Sequence, residues 1–226
     1  MLIDISSIRA DAVQMGNLAG QAIVNAVKSL ADRDTDLARK VIEDDAAIDR
    51  LESAIDRKCL DALAEKLDGK RLRTVAATYR FIVDLERIGD YSVSVANVTL
   101  AVANKPIMGL ELHVTRMAEI ATGMLRRAMD AYSSESGADL GKVFEDDLAI
   151  DRLYGKVFYD SLGEIVHEPE TATNVIYIIV ASRALERIGD HITDIAERVE
   201  YVETGRLAER SMPMHVPPDP GDVTWG

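Results

Sequence analysis

The chain has 226 residues, 47% hydrophobic and 29% charged, an ordinary globular composition and enough length to bury a substantial core. Its 39 acidic against 26 basic residues leave a net charge of −13, which repels nucleic-acid phosphates, and no long basic run offsets it. The lone Cys59 excludes an intrachain disulfide and suits a reducing cytoplasm, and an aromatic content of 5% favours aliphatic helix packing over a β-sandwich.

The N-terminal MLIDISSIRADAVQ has no basic stretch followed by an apolar one, so no signal peptide is expected. Leu18, Ala22, Val24 and Val27 are read as apolar positions of a helical period, which predicts a first helix over 6–31. Asp32–Thr35 breaks it, with Asp34 placed to cap a second helix over 35–67, where Ile48, Leu51 and Ile55 recur at i, i+3, i+7. Asp68–Lys70 precedes a third helix over 71–104, and Lys105–Gly109 a fourth over 110–133. Met108, Met117, Met124 and Met129 read as packing residues there. Ser133–Gly137 and His167–Pro169 bound a fifth helix over 138–167, and a sixth runs over 170–204. The longest apolar run, Val175–Ala181, is far too short to span a bilayer, so membrane association is expected only through a partner. After Gly205 the sequence turns Pro- and Gly-rich without period, and 206–226 reads as a flexible tail. No segment alternates strictly between hairpin turns, so the fold class is all-α.

The chain repeats itself. LERIGD stands at Leu85–Asp90 and again at Leu185–Asp190, an offset of 100. Upstream, VIEDDAAIDRL at Val41–Leu51 matches VFEDDLAIDRL at Val143–Leu153, an offset of 102. Two matches in the same order indicate a duplicated unit of about a hundred residues. Short connections favour antiparallel neighbours, so the expected architecture is two tandem three-helix bundles, over 1–107 and 108–205.

Each copy holds two carboxylate pairs spaced i, i+4: Asp45/Asp49 and Glu86/Asp90, then Asp147/Asp151 and Glu186/Asp190. That spacing is about 40° of rotation and about 6 Å of rise, so like charges point the same way and repel. With Glu86 at zero phase, Tyr79, Ile82, Val83 and Val93 surround the pair, which sets it within an apolar stripe. Asp45 falls at the edge of the stripe through Val41 and Ile48. Carboxylates facing a bundle interior must be paired, protonated or metal-bound. Arg87 and Arg187 project about 100° away and are not obvious internal partners. The second copy is less clean, because Ser182, Arg183 and Thr193 share its arc and Arg183 could neutralise part of the charge. Spacing and phase therefore leave metal binding and a salt-bridge network both open. Gly89 and Gly189, each costing a helix about 1 kcal/mol relative to alanine, imply close approach by a neighbouring helix or a bound group.

All-carboxylate ligation would select hard cations such as Mg²⁺, Mn²⁺ and Fe. His191 lies off the acidic stripe and reads as a surface or packing residue, with Tyr91 at its place in the first copy. No Gly-rich phosphate loop, nucleophilic triad or Glu-x-x-His pair is present, which argues against familiar enzyme chemistries.

The duplicated ERIGD segments with their upstream DDxxIDRL partners resemble the PhoU family, across roughly residues 5–205. The resemblance implies cytoplasmic, non-enzymatic regulators of phosphate homeostasis, located at the inner membrane face through partners. It implies a negative regulator linking a phosphate ABC transporter, through its ATPase subunit, to a sensor histidine kinase. It also implies homodimers and metal clusters of Fe, Mn, Zn or Mg. Carried over, Asp45, Asp49, Glu86 and Asp90 would form one metal site and Asp147, Asp151, Glu186 and Asp190 the other. The family often has Asn four residues after the motif Asp, where this chain has Ser94 and Asp194, and Asp194 is a candidate extra ligand. A metal-free helical adaptor and a metal-dependent enzyme on the carboxylate cluster are the competing readings.

Overall fold

Two residues reverse the chain between its first two helices. Arg33 adopts a left-handed conformation, φ 56°, and Asp34 N–H returns to the Ser29 carbonyl at 2.9 Å, a helix-ending geometry. The Asp34 carboxylate then accepts from the N–H groups of Asp36 and Leu37 at 3.0 and 2.9 Å, capping the next helix as its sequence position predicts. The computed structural model describes residues 4–105, 109–134 and 140–206. It has six long helices: α1 Ile5–Asp32, α2 Thr35–Leu63, α3 Gly69–Val102, α4 Glu111–Ser134, α5 Gly141–His167 and α6 Ala172–Thr204, with a 3₁₀ turn at Pro169–Thr171 before the last. No strand occurs among the described residues, and none of the described helices is long and apolar enough to cross a membrane.

Helix α2 stops at Leu63, four residues short of the expected 67. Ala64 N–H still bonds the Leu60 carbonyl, but Glu65 N–H bonds that of Ala62, so the last turn tightens and the chain bends. The bend lets Leu67 pack back against the core. Residues 138 and 139, assigned to the fifth helix, lie outside the described residues, as do Met108 and the tail from 207 onward. Met117, Met124 and Met129 are buried as expected, whereas Val24, counted with the apolar positions of the first helix, is exposed because it stands about 100° round α1 from the buried Ile23.

Helices α1–α3 pack on one another, as do α4–α6, and the two sets join where α3 lies against α6 and α1 against α4. One buried hydrophobic cluster runs through both. The pairs at the join are repeat equivalents, so the sets meet about a pseudo-twofold axis. Polar contacts fix the register. Arg33 Nη2 bonds Glu111 Oε1 at 2.8 Å while its Nη1 donates to the Val102 carbonyl at 2.9 Å. Phe81 of α3 meets Tyr132 of α4 edge-to-face at 4.9 Å, worth about 0.5–1.5 kcal/mol beyond the area buried. The Tyr132 hydroxyl, otherwise buried, shares a hydrogen bond with Thr78 Oγ1 at 2.5 Å. Lys70 with Glu203, at 2.9 Å, and Arg73 with the Val202 carbonyl, at 3.2 Å, tie the start of α3 to the end of α6, so these helices run antiparallel.

Candidate metal centres

The i, i+4 spacing does what the helix geometry requires. Asp45 and Asp49 on α2 face Glu86 and Asp90 on α3, and each group is felt electrostatically by Asp45. Burial first, then Asp49, Asp90 and Glu86, push the Asp45 carboxyl up to about 6. In the second copy, Asp147 and Asp151 on α5 face Glu186 and Asp190 on α6. Burial again leads, followed by Asp151, Asp190, Glu186 and Asp194, and the Asp147 carboxyl rises to about 7. Glu86 is also raised, by burial and then by Asp90.

The repeated glycines open the room these aspartates occupy. A Cβ on Gly89 would stand 2.5 Å from Asp45 Oδ1 and 3.1 Å from Ile48 Cδ1. On Gly189 it would stand 2.6 Å from Asp147 Oδ1 and 3.3 Å from Ile150 Cδ1. Of the two expected causes the structure shows the first: a neighbouring helix approaches, and the side chains it brings include a cluster carboxylate. Asp45 Oδ1 and Asp147 Oδ1 are buried and have no hydrogen-bond donor among the described residues. An orphaned buried acceptor beside three more carboxylates is costly unless it is protonated or coordinated. A hard divalent cation suits this donor set, so the residues fit the metal that the resemblance implies.

Three features differ from the sequence reading. Arg87 does reach the cluster on its own helix: its long side chain brings Nη1 to 3.1 Å from Asp90 Oδ2 and Nε to 3.6 Å from Glu86 Oε2. Arg187 repeats this at 3.0 and 3.7 Å, so backbone phase misjudges a flexible guanidinium. Val83, placed in the apolar stripe, is exposed, because α3 turns that edge to solvent. The second copy is also the more enclosed one, which the spacing did not show, and there Arg183 does neutralise part of the charge as expected: Glu186 is buried and accepts from Arg183 Nη1 at 2.7 Å, and the Arg183 guanidinium lies over the Tyr154 ring at 5.4 Å. Ser182 and Thr193, on the same arc, donate to the Ile179 and Asp190 carbonyls of their own helix.

Asp194 lies in a group with Asp84 of α3 and His191 of α6. Sequence reasoning placed His191 off the acidic stripe of its own helix and missed that the opposing α3 supplies a carboxylate. Asp84 followed by the motif was the available signal, but only the α3–α6 crossing shows which way it faces. Cys59 is buried and its thiol is pushed up to about 12, chiefly by burial, which keeps it neutral and unreactive.

The fold and these centres define a class: a duplicated helical-bundle protein with one four-carboxylate cluster per copy, set between the second and third helix of each. Comparison with known proteins gives the family. Residues 12–99 and 114–199 each match the PhoU domain. Over 202 residues the chain is 33% identical to a phosphate-specific transport system accessory protein PhoU homolog of Rhizobium meliloti (strain 1021), covering 88% of this chain and 85% of that one. A homolog of the same description from Pseudomonas aeruginosa is 32% identical over 206 residues, 89% of this chain and 84% of that one. The crystal structure of PhoU from Pseudomonas aeruginosa superposes with a TM-score of 0.84 at 32% identity, covering 89% of this chain and 97% of that one. That of the phosphate transport system regulatory protein PhoU from Streptococcus pneumoniae gives 0.82 at 25%, covering 91% and 98%. The chain belongs to the PhoU family.

Proposed function

We propose that the chain is a non-enzymatic accessory protein of phosphate-specific transport and a negative regulator of the phosphate-starvation response. It acts at the cytoplasmic face, contacting the ATPase subunit of a phosphate ABC transporter and a sensor histidine kinase, and works as a homodimer. Membership of the family, with relatives named for phosphate-specific transport, supports the transport role. Deleting the gene in its native host tests it: derepressed starvation genes and altered phosphate uptake are expected, and an unchanged response with no paralogue present would sink the reading.

We further propose that each cluster holds a metal, Fe, Mn, Zn or Mg. The observation that carries this is the orphaned buried oxygen of Asp45 and of Asp147, each crowded by three further carboxylates. Bound there, an ion would neutralise repelling charge and brace two helices of each copy, while Asp45, Asp49, Glu86, Asp90 and their equivalents would supply oxygen ligands. The Arg183–Glu186 pair favours the rival reading, a salt-bridged cluster without metal, in the second copy only. Elemental analysis of untagged protein purified without chelator separates the two. Stoichiometric metal lost in an Asp90→Ala/Asp190→Ala variant supports the proposal. Wild-type protein that stays empty after incubation with these ions supports the salt-bridge reading.

A further inference from the structure

Where α3 and α6 cross, a third set of ligating side chains comes together beside the second cluster, whose Asp147 feels the charge of Asp194. One oxygen of Asp84, one ring nitrogen of His191 and one oxygen of Asp194 all lie within 4.8 Å of one another, and all three residues are half-buried. His191 Nδ1 is 3.0 Å from Asp84 Oδ1. Two ligand atoms bound tetrahedrally to zinc at about 2.0–2.2 Å stand about 3.3–3.6 Å apart, so small rotations would suffice to admit an ion.

We propose that Asp84, His191 and Asp194 form a separate binding site for one first-row divalent cation, with Zn²⁺ as its reference ligand, clamping the first repeat to the second. The donor set differs in kind from the clusters. An imidazole nitrogen beside two carboxylates moves preference from Mg²⁺ toward Zn²⁺ and its neighbours. The charge balance also calls for a cation: two carboxylates share one imidazole, and Asp194 accepts no hydrogen bond among the described residues. Arg198 and Glu197 act on Asp194 in opposite senses, and Asp147 of the second cluster adds a further like charge. When the ion takes the ligating nitrogen of His191, any proton there leaves to solvent.

Repeat symmetry shows that the set is not duplicated. At an offset of 100 the equivalent positions are Ala184, Tyr91 and Ser94, which offer no comparable set. The Tyr91 ring instead lies 5.7 Å from the His191 ring, a flank for one side of the imidazole. The site is thus single, lies beside the pseudo-twofold axis, and takes ligands from both copies.

The test uses the full chain carrying Asp45→Asn and Asp147→Asn, which removes from each repeat cluster the carboxylate with the buried, unpartnered oxygen. Zn²⁺ is titrated by calorimetry while the imidazole ¹⁵N resonances of His191 are followed. One equivalent bound, displacement of the His191 resonances, and an affinity at least about tenfold weaker after a further His191→Gln or Asp194→Asn would support the site. No zinc uptake, or uptake indifferent to both substitutions, would overturn it. Should the double variant fail to fold, the wild-type chain gives the same reading: His191 resonances that stay fixed at zinc saturation overturn the site. The inference does not rest on metal in the repeat clusters, since either can fail while the other stands.

Discussion

Glu86 keeps 28% of its side chain exposed, whereas Glu186, at the same place in the second copy, keeps 1%. Asp90 and Asp190 differ in the same sense, 46% against 33%. The backbone, the glycine and the arginine bridge are alike in both, so the motif does not set the burial; its surroundings do. Where the first copy has the exposed Val83, the second has Arg183, stacked on Tyr154 and paired with Glu186. Deeper burial of a carboxylate is matched by a cation brought from one turn away. The first cluster is therefore the more open acidic site, and the second is partly neutralised from within.

Replacing that cation should break the contrast most severely. Arg183→Val turns the second copy toward the first and leaves Glu186 short of its strongest donor. A loss of about 1.5–3 kcal/mol is expected in urea unfolding of the metal-free chain. Crowding the aspartates comes next. Gly189→Ala should destabilise by about 1–2 kcal/mol, overpacking less the gain in helix propensity, and should lower the metal content of its cluster. Gly89→Ala should cost less, because the more open first site lets Asp45 swing toward water, and paired denaturation curves would show the order.

The titration of the two aspartates sharpens the contrast further. Both carboxyls hold a proton more tightly folded than unfolded, since each rises from 3.8, Asp45 to about 6 and Asp147 to about 7. Ionisation therefore opposes folding. Their contribution to the stability of the metal-free chain falls as pH climbs from about 4, levelling near 6 for Asp45 and near 7 for Asp147. The drop in urea midpoint between pH 5 and pH 8 should shrink in Asp147→Asn more than in Asp45→Asn; equal effects would contradict the difference in burial. The smallest effect belongs to Val83→Arg, an exposed change expected to move stability by less than about 0.5 kcal/mol. Its worth is as a graft: it should weaken metal retention in the first cluster alone, read by elemental analysis.

Much of this architecture is legible in the order of the residues. The offsets of 100 and 102 reveal the duplication, Asp34 marks a cap, and the i, i+4 carboxylates place all eight cluster residues on the faces that meet. Local rules suffice for these, because helix period and capping depend on near neighbours. Which copy is deeper cannot be read that way, since burial depends on how two whole bundles rest together. The reach of Arg87 escapes a backbone phase argument, because four rotatable bonds can carry a guanidinium back over its own turn. Asp84 beside His191 escapes for a topological reason: 107 residues separate them, and only the α3–α6 crossing joins them.

The pairing of Tyr91 with His191 across that crossing carries a historical reading. A single repeat with these helices would have met a second copy of itself through the same faces, third helix on third helix. In such a symmetric pair every substitution appears twice, so a histidine on the axis would face a histidine, and an acidic neighbour would face its own image. Joining the two halves in one chain removes that constraint. One side of the axis can then carry Asp84, His191 and Asp194 while the other carries Ala184, Tyr91 and Ser94. The broken symmetry at the seam is what a gene gains by being fused to its own duplicate.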